Sequence, residues 1–263
     1  MNTNSEYVRL AALALVPTLA ACGGASGGLN GGNGLPYADG TQNGGVIALQ
    51  EGDTVTTQVS GVRIALEDQL VRAPISIERV DAAHIRVNFN GEERLLEQVG
   101  GPASTVFHDA VMSIDFGNVA PNALSLGSMT YLGDGGISAG LVTGYATDPA
   151  NLPTSGTAFY DGQAYVERIG GMGVHMQETW DLAIEADFDN SEVSALIATP
   201  HGFAAMDDTP FGANGFRGDL IGPVGLTGEM DGQFYDQNGK YIAGTLYLAD
   251  ETTFSGVYQA RSD

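Results

Sequence analysis

The sequence predicts an all-β protein: an eight-stranded antiparallel up-and-down β-barrel preceded by a smaller, mostly β subdomain. Three observations carry that expectation. Several segments alternate apolar and polar residues with period two, the turns between them are short and polar, and no long stretch carries a 3.6-residue stripe. The clearest alternation sets Trp180, Leu182, Ile184, Ala186 and Phe188 against Asp181, Ala183, Glu185, Asp187 and Asp189. One apolar and one largely acidic face mark a half-buried antiparallel strand. Val224, Leu226, Gly228, Met230, Gly232 and Phe234 form a second such face, opposite Thr227, Glu229, Asp231 and Gln233. Ile242, Gly244, Leu246 and Leu248 form a third, and Phe254, Gly256, Tyr258 and Ala260 a fourth. Small residues on these apolar faces relieve crowding where a sheet bends tightly, as closure into a small barrel requires.

Before the barrel, residues 46–150 read as short β-prone pieces: Val46–Gln50, Thr54–Val59, Ser76–Val80, His84–Phe89, Glu93–Gln98, Leu124–Leu132 and Ile137–Tyr145. A short helix fits near Pro102–Ala110. From 151 to 263 eight strands are expected: Gly156–Asp161, Gln163–Ile169, Gln177–Asp189, Glu192–Thr199, Gly215–Leu220, Val224–Tyr235, Tyr241–Ala249 and Thr253–Ala260. One longer loop, Pro200 to Asn214, separates the fourth from the fifth. Closing the sheet removes open edges that would otherwise pair with other chains. Side chains fill the barrel or leave a narrow hollow; the alternation fits either.

The N-terminus carries a different pattern. Residues 1–9 are polar, and twelve uncharged, mostly apolar residues follow, Leu10 to Ala21, ending at Cys22. Twelve residues are too short to cross roughly 30 Å of hydrocarbon as a helix, but they have the length of a secretory h-region. Leu19-Ala20-Ala21-Cys22 resembles a bacterial lipobox. That resemblance implies removal of residues 1–21 and acylation of Cys22, the single cysteine. Several acyl chains, each worth about 0.8 kcal/mol per buried CH₂, anchor where one chain does not. Gly23 in place of Asp points to the outer membrane. Residues 23–45 contain ten glycines and one charge, Asp39. Ordering them costs entropy that no side chain recovers, so 22–45 reads as a lipidated cysteine and tether with a reach of roughly 26 Å.

Charge excludes one class of partner. Ten Lys and Arg against 32 Asp and Glu give a formal net charge of -22 over 263 residues, which repels phosphate backbones and rules against nucleic acid. A transmembrane barrel competes with the soluble one, since eight strands suffice for both. Its outer face must be apolar over about 25 Å, whereas here one alternating face carries Asp181, Glu185, Asp187, Glu229 and Asp231.

Two stretches resemble the transferrin-binding protein B-like surface lipoproteins. Gly144-Tyr145-Ala146-Thr147 with Leu152-Pro153-Thr154-Ser155-Gly156-Thr157-Ala158-Phe159-Tyr160-Asp161-Gly162 looks like the opening of that family's C-terminal barrel. Gly232-Gln233-Phe234-Tyr235, Ile242-Ala243-Gly244-Thr245-Leu246 and Phe254-Ser255-Gly256-Val257-Tyr258 look like its closing strands. The family carries Gly-Pro after Phe-Tyr and an acidic residue before Ile-Gly-Gly; this chain has Asp236-Gln237, Tyr241 and Ala243 instead. The resemblance implies that 46–150 is a handle subdomain, that the chain holds one lobe where full-length receptors hold two, and that it binds a partner without catalysis. Family members bind host iron proteins, haem carriers or complement regulators.

Sites are few. His84, His108, His175 and His201 lack ligand spacing, and no nucleophile elbow or phosphate loop is present, so no cofactor, metal or catalysis is expected. Asp187-Phe188-Asp189-Asn190-Ser191-Glu192 gathers carboxylates without calcium-loop spacing and reads as a solvated turn. Tyr235, Tyr241 and Tyr247 fall on the outer phase of their strands, where they form a protein-binding patch or pack against the handle. The expected protein is a monomeric outer-membrane lipoprotein, facing the periplasm or the cell surface, that binds a protein or small solute, with a link to iron or haem acquisition. Its partners are the bilayer through Cys22 and a secreted or host protein, or a haem or iron carrier. The competing reading is a structural envelope lipoprotein with no ligand cavity.

Overall fold

A computed structural model describes residues 49–63, 66–101, 104–116, 119–120, 124–133, 135–144, 146–169, 176–213, 215–236, 238–249 and 253–262. Cys22, the leader and the glycine tract lie outside them. The chain folds into two closed antiparallel barrels.

The first contains β1 (Thr54–Arg63), β2 (Leu66–Arg79), β3 (His84–Phe89), β4 (Glu92–Gln98), β5 (Val106–His108), β6 (Met112–Asp115), β7 (Val119–Ala120), β8 (Leu124–Tyr131) and β9 (Ile137–Gly144). Its strand order is β6-β5-β4-β3-β2-β1-β9-β8-β7, and β6 pairs with β8 as well. That extra pairing, with Met112 opposite Tyr131 and Ile114 opposite Met129, closes a ring of eight strands and leaves β7 as an appendage. Alternation in β3 sends Ile85, Val87 and Phe89 inward. There they meet Ile75, Ile77, Leu96, Phe107, Ile114 and Leu141 in one buried cluster. Asn90 and Gly91 join β3 to β4 with positive φ angles of 52° and 78°, the geometry a two-residue hairpin of right-handed twist needs.

A 3-10 turn, Pro149–Asn151, leads to the second barrel, whose β10 (Thr157–Ile169), β11 (Met176–Asp187), β12 (Glu192–Thr199), β13 (Gly202–Gly212), β14 (Gly215–Ile221), β15 (Thr227–Tyr235), β16 (Tyr241–Ala249) and β17 (Thr253–Ser262) close in sequence order. Trp180, Leu182, Ile184, Ala186 and Phe188 point inward, each at most 5% exposed. Asp181, Ala183 and Glu185 point into solvent. Apolar inside and carboxylate outside is the reverse of a membrane-spanning barrel. The interior is filled: rings meet across it, Trp180 with Phe254 at 5.2 Å, Phe211 with Phe234 at 5.0 Å and Phe188 with Phe234 at 5.8 Å.

The second barrel has the expected eight strands, with two differences from the expected division of the chain. Gly156–Asp161 and Gln163–Ile169 are one strand, β10, because Gly162 pairs with Leu182 on one side and Ala260 on the other without a break. The loop expected from Pro200 to Asn214 contains β13. Register shifts against both neighbours, between Val193 and Ala195 and between Ala205 and Phe211, scramble its alternation, and Pro210 adds a turn-like signal. In the first barrel the expected helix near Pro102–Ala110 is replaced by β5, since Phe107 pairs with both Gln98 and Ile114. Of Val46–Gln50, residues 46–48 lie outside the described set, and Leu49 and Gln50 are not in a strand.

Glycine is required where strands bend closest. A Cβ on Gly244 would sit 1.8 Å from the Asp231 carbonyl oxygen and 2.6 Å from Gly232 Cα, backbone atoms that cannot move aside. Gly244→Val is expected to lower stability by about 3 kcal/mol or more in denaturant titration. Gly212→Ala, whose Cβ meets nothing within 4 Å, should change it by less than about 0.5 kcal/mol.

Candidate functional site

Strands β16 and β17 of the second barrel, with Tyr235 at the end of β15, pack their outer faces on β1, β8 and β9 of the first. The outward residues Ala243 and Val257 are therefore buried, with Tyr235, Tyr241 and Val142, in a third apolar cluster. Backbones come close here: a Cβ on Gly140 would lie 2.5 Å from Val257 Cγ1. Hydrogen bonds fix the angle between the barrels. The Thr147 amide donates to the Phe234 carbonyl at 2.9 Å, and the Thr147 hydroxyl donates to the Asp236 carbonyl at 2.5 Å. Ser255 Oγ donates to the Ser60 carbonyl at 3.3 Å.

Arg72 carries positive charge across the seam. Arg72 on β2 donates through Nη1 to Glu229 Oε2 on β15, and its Nη2 lies 3.5 Å from Asp231 Oδ2. Arg217 approaches the same Asp231 oxygen at 3.9 Å. Arg72 is only 13% exposed, so losing it would leave Asp231, itself 18% exposed, with weaker compensation.

A cleft opens beside the seam on each flank. The first, about 440 Å³, is walled by Asp115, Ser138, Tyr165, Glu167 and Glu178. The second, about 480 Å³, is lined by Thr57, Gln58, Arg217, Asp231 and Gln233. In the first, Ser138 Oγ donates to Glu167 at 3.1 Å and Trp180 Nε1 to Glu178 at 2.9 Å. Its lining contains no Lys, Arg or His, so it disfavours anions.

Tyr235 and Tyr241, 5% and 8% exposed, are covered by the first barrel and are not open to a docking partner. Arg261 lies over the Tyr241 ring at 5.8 Å. Tyr247 is half-buried, opposite Glu229 and Ser255. His84 contacts Asp81 at 2.9 Å in the first barrel, His108 is exposed on β5, and His201 is exposed in the β12–β13 turn; His175 lies outside the described residues. Among the described residues no group of three or more His, Cys, Asp or Glu could hold a metal. The acidic turn is held internally: Asp187 accepts from the Asn190 side chain at 2.8 Å and from the Asp189 amide at 2.9 Å. These bonds, the Asn190 side chain foremost, hold its carboxyl below the ordinary range. Sequence reasoning missed Arg72 and both clefts, because no local spacing announces a contact made across two barrels.

No family model matches the chain, and no curated protein matches it. Solved structures do. A mutant of transferrin-binding protein B from Haemophilus parasuis, a vaccine antigen, superposes with a TM-score of 0.51 at 12% identity, over 80% of this chain and 45% of that one. Isotype 1 transferrin-binding protein B from Neisseria meningitidis gives 0.51 at 13% identity, over 80% and 44%. The chain thus spans less than half the length of these structures. At such identity the likeness defines the fold: paired barrels of the transferrin-binding protein B type.

Two predictions follow, one from Arg72 at the seam and one from the buried phenols around Asp231. Arg72→Ala should cost about 1–3 kcal/mol in denaturant titration, with a smaller loss at high salt, where the surviving carboxylates repel less. Burial raises the phenols of Tyr235 and Tyr258 above their ordinary value of 10.0, with the Asp231 charge adding to it. Above pH 10 the unfolded chain then binds fewer protons than the folded one. Their contribution is fully present below that pH and lost as pH rises past it. Spectrophotometric titration at 295 nm should show these tyrosines ionising together with unfolding.

Proposed function

We propose that the protein is a lipid-anchored binding protein of the outer membrane, which captures a protein partner without catalysing a reaction. The observation that carries this reading is the paired-barrel fold shared with transferrin-binding protein B over 80% of the chain. Ring contacts fill the second barrel, so recognition falls to outer walls and inter-barrel clefts. The -22 charge favours a basic partner by electrostatic steering. In this reading Cys22 is the residue that takes the acyl chains, and residues 23–45 join it to the barrels. An iron-linked role rests on the likeness to the transferrin-binding proteins alone.

Intact mass of the native protein tests the anchor. The expected mass corresponds to a chain starting at Cys22 with acyl groups, partitioning into the detergent phase on Triton X-114 separation. Cys22→Ser should move it to the aqueous phase. A native chain with residues 1–21 attached and no acyl groups would overturn the reading. Pull-down from growth medium with the anchored wild-type chain tests capture, with an absorption spectrum to check for haem.

A further inference from the structure

The wall of the second barrel that faces away from the handle carries an apolar row that its fold does not use. Pairing registers place Ala183 opposite Leu196, Leu196 opposite Ala205, and Ala205 opposite Ile221, so one line of side chains crosses β11, β12, β13 and β14 on the outer face. Phe203, opposite Ala198, widens that row on the side of the β12–β13 turn. Leu196, Phe203 and Ile221 are 44%, 57% and 63% exposed. In a chain this acidic, three large exposed apolar residues on adjoining strands are an island rather than scatter.

Carboxylates ring it. Asp161 sits opposite Ala183, Asp181 opposite Ala198, Glu185 one pleat along from Ala183, and Asp219 one pleat along from Ile221. Asp207 and Asp208 follow Ala205 on β13, and all six acids are exposed. No ion pair holds any of them among the described residues; of the cations beside them, Arg261, opposite Asp161, lies over the Tyr241 ring, and Arg217 lies 3.9 Å from Asp231. An apolar centre inside an uncompensated negative rim has one complement: a protein surface with an aliphatic or aromatic knob flanked by Lys and Arg.

We infer that this β11–β14 wall is the docking surface for such a basic partner, which deepens the binding reading above and rests on it. A second copy fits poorly, because a two-fold contact would set the same acidic rim against itself. Anionic headgroups meet the same repulsion.

The test uses the full chain in detergent and a fluorescein-labelled peptide with a Leu-Phe-Val centre between Lys-Arg pairs. Control peptides carry Glu pairs around that centre, or a Gly-Ser-Gly centre between the basic pairs. Anisotropy should show saturable binding of the first peptide only. The triple substitution Leu196→Ser, Phe203→Ser and Ile221→Ser should weaken it about tenfold or more, and Asp181→Asn with Asp219→Asn should flatten its salt dependence. All these positions are exposed, so both variants should melt as wild type does, which separates lost binding from lost folding. Equal binding by the triple variant, a cross-link at the seam clefts, or a dimer that the triple substitution dissolves would each overturn the inference. So would a triple variant that takes its partner from growth medium as wild type does; that result would leave the binding reading standing. Peptide binding at this wall, with no partner captured by the anchored wild type, would support the wall while overturning the captured-partner reading.

Discussion

The structure depends on burying β16 on both faces. Ile242, Leu246 and Leu248 fill the second barrel, while Tyr241, Ala243 and Thr245 between them are covered from outside. A strand buried twice has no polar face, and β16 carries no charged residue at all. The alternation so clear in β11 is lost here because the outer face of this strand is itself a core. Each barrel owns an apolar interior, yet neither presents a finished surface without the other.

The polar content of the seam is consistent with this. Backbone carbonyls of Phe234, Asp236 and Ser60 receive donors from the opposite barrel or the connecting turn, which suits groups that would otherwise be shielded from water without a partner. Arg72 answers two carboxylates of a chain that has few cations to give. The seam is therefore a specified contact with a fixed register, and the clefts along its flanks have walls drawn from both units.

Much of this was legible beforehand and some was not, for identifiable reasons. Trp180 to Phe188 announced their strand because one face meets water, and the inside–outside assignment of β11, β15 and β17 followed from period two. β13 was invisible because its bulges break that period, and β5 because three residues around Phe107 cannot display one. Closure of the first barrel depends on β6 meeting β8, a non-local pairing that neither segment signals. Tyr235 and Tyr241 could be placed on the outer phase of their strands, but what covers that phase is decided by another part of the chain. The row from Ala183 to Ile221 was hidden in the same way: each strand contributes one or two apolar residues, and only the register aligns them.

The order of the strands has a consequence for biogenesis. β10 is hydrogen-bonded to β17, with six strands between them in the chain, so the second ring cannot shut until β17 has emerged. Until then β10 and β16 would present bare edges, and the first ring would lack the surface that covers it. An unpaired edge is a template for other strands, so the emerging chain stays open to mispairing until β17 docks on β10.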